Sequence, residues 1–378
     1  MVAVVGLRFG ADFVPIYLDH PAVAAVVVAD ADADVRSRVG AQFGVETEAS
    51  LDAVLARSDV DAVHVATPVR FHADHAVAVL RSGRDCACAV PMATSLDDLA
   101  RIVDAERASG RHYMMMETML YGREYLYVDG LHHAGTLGNL TYYEGFHLQN
   151  LDGFPGYWTG YPPMHYVTHA LSPVLGLLDT SVATVQALGS GRLAPERRGG
   201  FDNPFPTETG LFALRGSDVT AHVTVSFSAL ARPYREGFHA YGDAGGVEWP
   251  VREDEPLHVY AFGASAESGR GRLVTEQRVV APDRRDLLPQ SLARYTRPTV
   301  FRAVDGATAV EVGAAHGGSH PHLVHEFVDA VTHDRGPRVD ATRAAELTAP
   351  GVCAHASALA GGTSVAVPSY RTVPGGAP

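Results

Sequence analysis

Residues 162–172, PPMHYVTHALS, set two imidazoles, His165 and His169, four positions apart. On a helix that spacing puts both on one face. Histidine changes charge near neutral pH, so such a pair can take the proton of a hydroxyl group under physiological conditions. Two neighbouring imidazoles also resist double protonation, which keeps one neutral and able to accept. More groups of this kind recur along the chain. Glu117 and Tyr121 lie in METMLYG, Glu144 and His147 in YYEGFHL, and His316, His320 and His322 in HGGSHPH. His169, His165 and Tyr121 are expected to be catalytic. Glu117, Glu144, His147, Tyr166, His320 and His322 are expected to contact substrate. Lysine is missing as a base or Schiff-base former, because all 30 Lys+Arg residues are arginine. A His-x-x-x-His spacing can also grip a metal, with His147, Glu144 or His320 completing the shell. No His-Glu-x-x-His run or cysteine pair supports that, so no metal is expected.

A second signature opens the chain. VVGLRFGA joins a buried strand to a helix, where a dinucleotide turn reads G-x-G-x-x-G/A. Gly6, Arg8 and Ala11 fall on the three marked positions, so an arginine replaces the glycine that lets backbone approach a pyrophosphate. Gly10 supplies flexibility beside Phe9, and Arg8 is expected to lie against phosphates or to reach toward substrate. Asp30 ends the second strand, 24 residues after Gly6. There a carboxylate accepts from a ribose 2′-OH and repels a 2′-phosphate, which predicts NAD rather than NADP. Asp32 is a close substitute or a helix-entry acid. Thr67 and Pro68 end the third strand, in the crevice where open parallel sheets hold ligands, with His72 just beyond.

The elements that must position these groups follow two patterns. Up to about residue 120, aliphatic runs alternate with helical stretches at 11–19, 33–43, 50–57, 71–83 and 95–110. Repeated strand–helix–strand units imply a doubly wound parallel sheet. Later segments such as DVTAHVTVSFSAL, EGFHAYG and GGVEWP alternate with period two, implying an antiparallel sheet with one covered face. The predicted organisation is α/β, with a Rossmann domain at 1–119 and a substrate-binding α/β domain at 120–378. Residues 263–300 are read as an Arg-rich loop or lid, and 318–334 as a helix.

Composition narrows the partners. A formal net charge of -13 disfavours nucleic acid or an anionic membrane. Three cysteines make neither a disulfide framework nor a zinc site, which suits a reducing compartment. With no apolar run of spanning length and no leader-like start, a cytoplasmic protein is expected.

The stretch TPVRFHADHAVAVLRSGRDCACAVPMATS resembles the Gfo/Idh/MocA oxidoreductases, which carry Thr-Pro…His…Cys-Glu-Lys-Pro there. The likeness extends to GTLGNLTYYEG, GDAGGVEWP and the segment 322–349. It implies an N-terminal Rossmann domain, then an α/β domain on a large open, mainly antiparallel sheet, and a homodimer or homotetramer. It assigns Gly6, Ala11, Asp30, Thr67, Pro68 and His72 to the cofactor. Ala89, Val90 and Pro91 stand where Glu-Lys-Pro is usual, so Val90 and Pro91 border the cofactor without the catalytic lysine. His165 and His169 match the family's Asp-x-x-x-His pair, and His169 inherits the proton. The reading is an NAD-dependent oxidoreductase acting on a hydroxyl of a sugar, cyclitol or glycoside. A redox-neutral glycosidase, lyase or epimerase using transient oxidation is the alternative, and a non-catalytic NAD or sugar sensor the third.

Overall fold

The computed structural model describes residues 1–232, 234–252, 255–263, 271–302, 309–312 and 315–371. The chain forms two compact units: Met1–Gly122 with Asp283–Ala345 and Tyr370–Pro378, and Arg123–Pro282 with Glu346–Ser369. The single boundary expected at 119/120 therefore gives way to a discontinuous division. The reason is packing: Tyr295 donates its hydroxyl to the Pro15 carbonyl, and His320 stacks on Phe13 at 4.3 Å between ring centres.

In the first unit, β1 (Val2–Val5), β2 (Val26–Ala29), β3 (Glu46–Glu48), β4 (Ala62–Val65), β5 (Asp85–Cys88) and β6 (Tyr113–Met115) form one sheet in the order β3-β2-β1-β4-β5-β6. Every neighbouring pair is parallel. Each residue of β1, β2, β4 and β5 is buried, as strands covered on both faces require. The helices Ala33–Phe43 and Leu96–Ser109 start at the side chains of Asp32 and Ser95, which accept backbone N–H groups. Both end on a left-handed glycine, Gly44 and Gly110. The helix expected at 11–19 is instead three short turns, Leu7–Gly10, Ala11–Phe13 and Val14–Asp19, the last started by Pro15.

The second unit is built on a nine-stranded sheet. Its strands are β7 (Leu140–Gln149), β8 (Val182–Ser190), β9 (Thr207–Leu214), β10 (Thr220–Ser226), β11 (Tyr234–Gly242), β12 (Gly245–Glu248), β13 (Leu257–Phe262), β14 (Val274–Val279) and β17 (Val365–Ala366). The order is β14-β13-β12-β11-β7-β10-β9-β8-β17. All pairs are antiparallel except β7 with β10, so the sheet is mixed. A hairpin of β15 (Thr299–Arg302) and β16 (Ala309–Val312) belongs to the first unit's part of the chain.

The loop expected at 263–300 is corrected: it contains β14 and the short helical turns Arg285–Leu287 and Ala293–Thr296. Residues 264–270 lie outside the described residues. β14 is an edge strand whose side chains are almost all exposed, so no apolar alternation announced it. Among the described residues, no helix is long and apolar enough to cross a membrane.

The helix Thr168–Leu177 lies against β7. Tyr143 donates its hydroxyl to the Ala170 carbonyl at 2.7 Å, and a Cβ on Gly145 would fall 1.9 Å from that same oxygen. Gly145→Ala must therefore push helix and strand apart, and is expected to destabilise by about 1–3 kcal/mol. Gly130→Ala serves as control: its site is open, and removing a mid-helix glycine should stabilise by about 0.5–1 kcal/mol. Urea unfolding of the two variants checks both signs.

Candidate active site

The cofactor end is assembled at the C-terminal edge of the parallel sheet. Gly6 leaves β1 with φ +94°, and its N–H bonds to the Ala29 carbonyl at 2.8 Å. A Cβ there would meet the Ala66 carbonyl oxygen at 2.5 Å, so only glycine fits. The middle position behaves differently from a glycine. Arg8 is exposed and pairs with Asp32 at 3.1 Å. The close helix–strand packing of a third glycine falls on Gly10, where a Cβ would stand 2.9 Å from Val4 Cγ1. Ala11 is half-buried one position later, and Phe9 is 38% exposed.

Asp30 is fixed by two backbone donors, Leu7 N–H to Oδ2 at 2.8 Å and Asp32 N–H to Oδ1 at 2.9 Å. Each oxygen keeps a second lone pair for a ligand hydroxyl. Asp32 itself caps a helix, accepting from Asp34 and Val35, so Asp30 is the one suited to the ribose. Glycine turn and acid together fit a dinucleotide.

His72 is a strut. Its Nδ1 lies 2.8 Å from the Pro91 carbonyl and its Nε2 2.7 Å from the Thr67 carbonyl. Those carbonyls pull its pKa up, but burial outweighs them and lowers it. It ties the chain after β4 to the chain after β5, and so sets Thr67, Pro68, Val90 and Pro91. Val90 and Pro91 are buried beyond β5, joined by a cis peptide bond.

In the second unit, His147 on β7 is 1% exposed. Its ring centre lies 5.2 Å from His169, 5.6 Å from Tyr166, 5.2 Å from Phe227 and 5.6 Å from Tyr234. Tyr166 stands edge-on to His169 at 5.0 Å. This box of two imidazoles and three aromatic rings brings together His147, Tyr166 and His169 from the sequence-derived set. Tyr234 and Phe227 were missed, since single aromatics in alternating strands look like core.

Four expectations are corrected. His165 and His169 do not share one helix. Pro162 and Pro163 start a tight i→i+3 turn, Pro163–Tyr166, and the α-helix begins only at Thr168. His165 faces Tyr161 at 6.0 Å and His355 at 5.0 Å. Glu144 does not converge with His147: three residues apart on a strand, they occupy opposite faces. Glu144 accepts from Tyr142 on the open face instead. Glu117 and Tyr121 close the first unit rather than opening the second, with Glu117 fully buried and accepting from Met119 N–H at 3.1 Å. His320 is buried at its helix start rather than presented at the surface. It is 1% exposed, stacked on Phe13, and neither ring nitrogen has a hydrogen-bond partner among the described residues. His322, at the same helix start, is 6% exposed.

Burial dominates the imidazole electrostatics. It pushes His320 down to about 3, helped by His316 and His64, and His64 down to about 3, helped by His72. His165 falls to about 3 by burial and then by His355, and His322 to about 4 by burial.

Residues 1–117 match the model of the Gfo/Idh/MocA family, described as an oxidoreductase family with an NAD-binding Rossmann fold. These residues belong to that family. A glycosyl hydrolase family 109 protein of Saccharopolyspora erythraea is 28% identical over 202 residues, which is 47% of this chain and 44% of that protein. The match thus spans less than half of that relative's length. A family 109 protein of Streptomyces niveus is 24% identical over 400 residues, covering 98% of this chain and 77% of the relative. Among solved structures, levoglucosan dehydrogenase in complex with NADH and levoglucosan superposes with a TM-score of 0.77 at 18% identity, over 97% of this chain and 99% of that one. That likeness is one of fold. In keeping with the family, NAD is the cofactor of the first unit, and the acid and glycine turn described above fit it.

The buried imidazoles make stability pH-dependent. Their folded pKa values lie below the ordinary 6.5, so the unfolded chain binds protons that the folded one refuses. Stability is full above about pH 6.5 and falls toward about pH 3, by up to about 1.4 kcal/mol per pH unit for each such group. His320→Phe should flatten this slope by one proton between pH 6 and 4, read from urea midpoints across that range. An unchanged slope would show that His320 takes up its proton in the fold.

Proposed function

We propose that this chain is an NAD-dependent oxidoreductase that oxidises a hydroxyl-bearing carbon of a sugar, cyclitol or glycoside, with an imidazole as proton acceptor. One observation carries the reading: in a chain without lysine, His147, Tyr166 and His169 form one ring cluster. Bound NAD supplies the hydride acceptor, at the turn made by Gly6, Gly10 and Asp30. His169 takes the hydroxyl proton, a role imidazole fills near neutral pH. Tyr166, half-buried beside it, offers a phenol that donates to or accepts from a sugar hydroxyl. His147 supports the ring of His169 from the strand. Phe227 and Tyr234 keep the box apolar, which strengthens hydrogen bonds made inside it. Asp30 favours NAD over NADP by repelling a 2′-phosphate.

The names of the family 109 relatives favour a second reading, a redox-neutral glycosidase in which oxidation is transient and NAD is regenerated within the cycle. The same imidazole then serves twice, as acceptor and as donor. The two readings part on stoichiometry: the dehydrogenase releases one NADH per sugar oxidised, whereas the glycosidase cleaves with no net NADH.

His169→Ala is expected to lower turnover by about 10²–10⁴-fold, the usual worth of a general base, while NAD affinity stays within about twofold. Stopped-flow absorbance at the NADH band and calorimetric NAD titration read these separately. Turnover equal to wild type would remove His169 from the chemistry.

A further inference from the structure

Glu208 and His355 stand outside the residues the sequence singled out. On β9, Glu208, Gly210, Phe212 and Leu214 are buried in turn. Glu208 is the one acid among them, with 0% of its surface exposed. Its carboxylate is committed at both oxygens. Oε2 accepts the Met164 N–H at 2.9 Å, and Oε1 lies 2.7 Å from Nδ1 of His355. A buried carboxylate without such partners costs several kcal/mol, so the pairing is what makes this position tenable.

His355 sits on the helix Ala341–Leu359, and its ring stands at 80° to that of His165, 5.0 Å away. Four residues earlier, Gly351 lets this helix touch the turn: a Cβ there would fall 2.1 Å from the Met164 carbonyl oxygen. Met164 is therefore gripped on both sides of its backbone, by Glu208 at the N–H and by the helix at the carbonyl. The turn so held, Pro163–Tyr166, carries His165 and Tyr166 and leads directly into His169.

We propose that Glu208 is a positioning residue that anchors this turn through Met164 and fixes the tautomer of His355 against His165. Its effect on turnover rests on the function proposed above; its effect on the imidazoles does not. With a carboxylate at Oε1, His355 must donate from Nδ1. The groups facing His165 are His355, with Glu208 behind it, and the ring of Tyr161 at 6.0 Å. Burial and the neighbouring His355 hold His165 neutral, with a pKa of about 3.

Glu208→Gln separates anchoring from charge. Its amide oxygen still accepts the Met164 N–H, but its NH₂ donates to His355 Nδ1 and reverses that tautomer. In the full-length chain with NAD, we expect an unchanged melting curve and NAD affinity. The kcat on the best sugar should fall on the order of tenfold, with KM little changed and the pH profile of kcat displaced. Nitrogen-15 spectra of the histidine rings, which need no substrate, should show His355 switching its protonated nitrogen and the His165 signals moving with it. His355→Gln, which keeps a donor to Glu208, should raise the His165 titration and supplies the readout if Glu208→Gln does not fold. Ring signals of His165 that ignore both changes overturn the proposal. So does a Glu208→Gln enzyme with wild-type kcat and pH profile. A wild-type chain that turns over no sugar defeats the functional reading alone, and the spectra then decide this one.

Discussion

The site in the second unit depends on how closely one strand and one helix approach. Gly145 has no side chain to hold the Thr168–Leu177 helix off β7, and Tyr143 bonds its hydroxyl to the backbone of that helix. The approach brings His147, two residues along the strand, to 5.2 Å from His169 in the first turn of the helix. An added methyl at Gly145 would widen that gap and loosen the ring cluster before touching any polar group. Packing density, more than any hydrogen bond, sets the geometry of this ring cluster.

Strand parity decides which polar residues join that cluster. Odd-numbered positions of β7, Tyr143, Gly145 and His147, face the covering helix. Tyr142 and Glu144 point to the open face, where Glu248 accepts from Tyr241 and Tyr260 on neighbouring strands. A sheet of nine strands with one covered face thus separates a dry imidazole–aromatic side from a wet tyrosine–carboxylate side.

Charge is handled in both units by pairing or by loss of the proton. Glu208, wholly buried, is held by a backbone N–H and an imidazole. Asp30, at the cofactor turn, is held by two backbone N–H groups. The buried histidines take the other course: with water excluded, their neutral forms are favoured well below the ordinary imidazole range. The burial that lowers acid stability also makes these particular rings weak bases, since a group with a pKa of about 3 holds no proton at neutral pH.

Much of the first unit was legible in the sequence because its signals are local. Aliphatic runs gave β1, β2, β4 and β5. Asp32, Ser95 and Gly110 marked helix ends, and Gly6 with Asp30 marked the cofactor turn. The alternating strands β10, β11 and β12 were legible for the same reason. The edge strand β14 was not, because an edge exposed on both faces shows no alternation. Spacing misled at His165 and His169, where paired prolines replaced the helix that a four-residue interval presumes. The acid on the apolar face of β9 was a readable signal for Glu208, but its partner His355 lies 147 residues away. Residue type and local periodicity were fixed by sequence. Tertiary structure alone decided which imidazoles meet and which carboxylate is paired, because those contacts join segments whose separation no local pattern encodes.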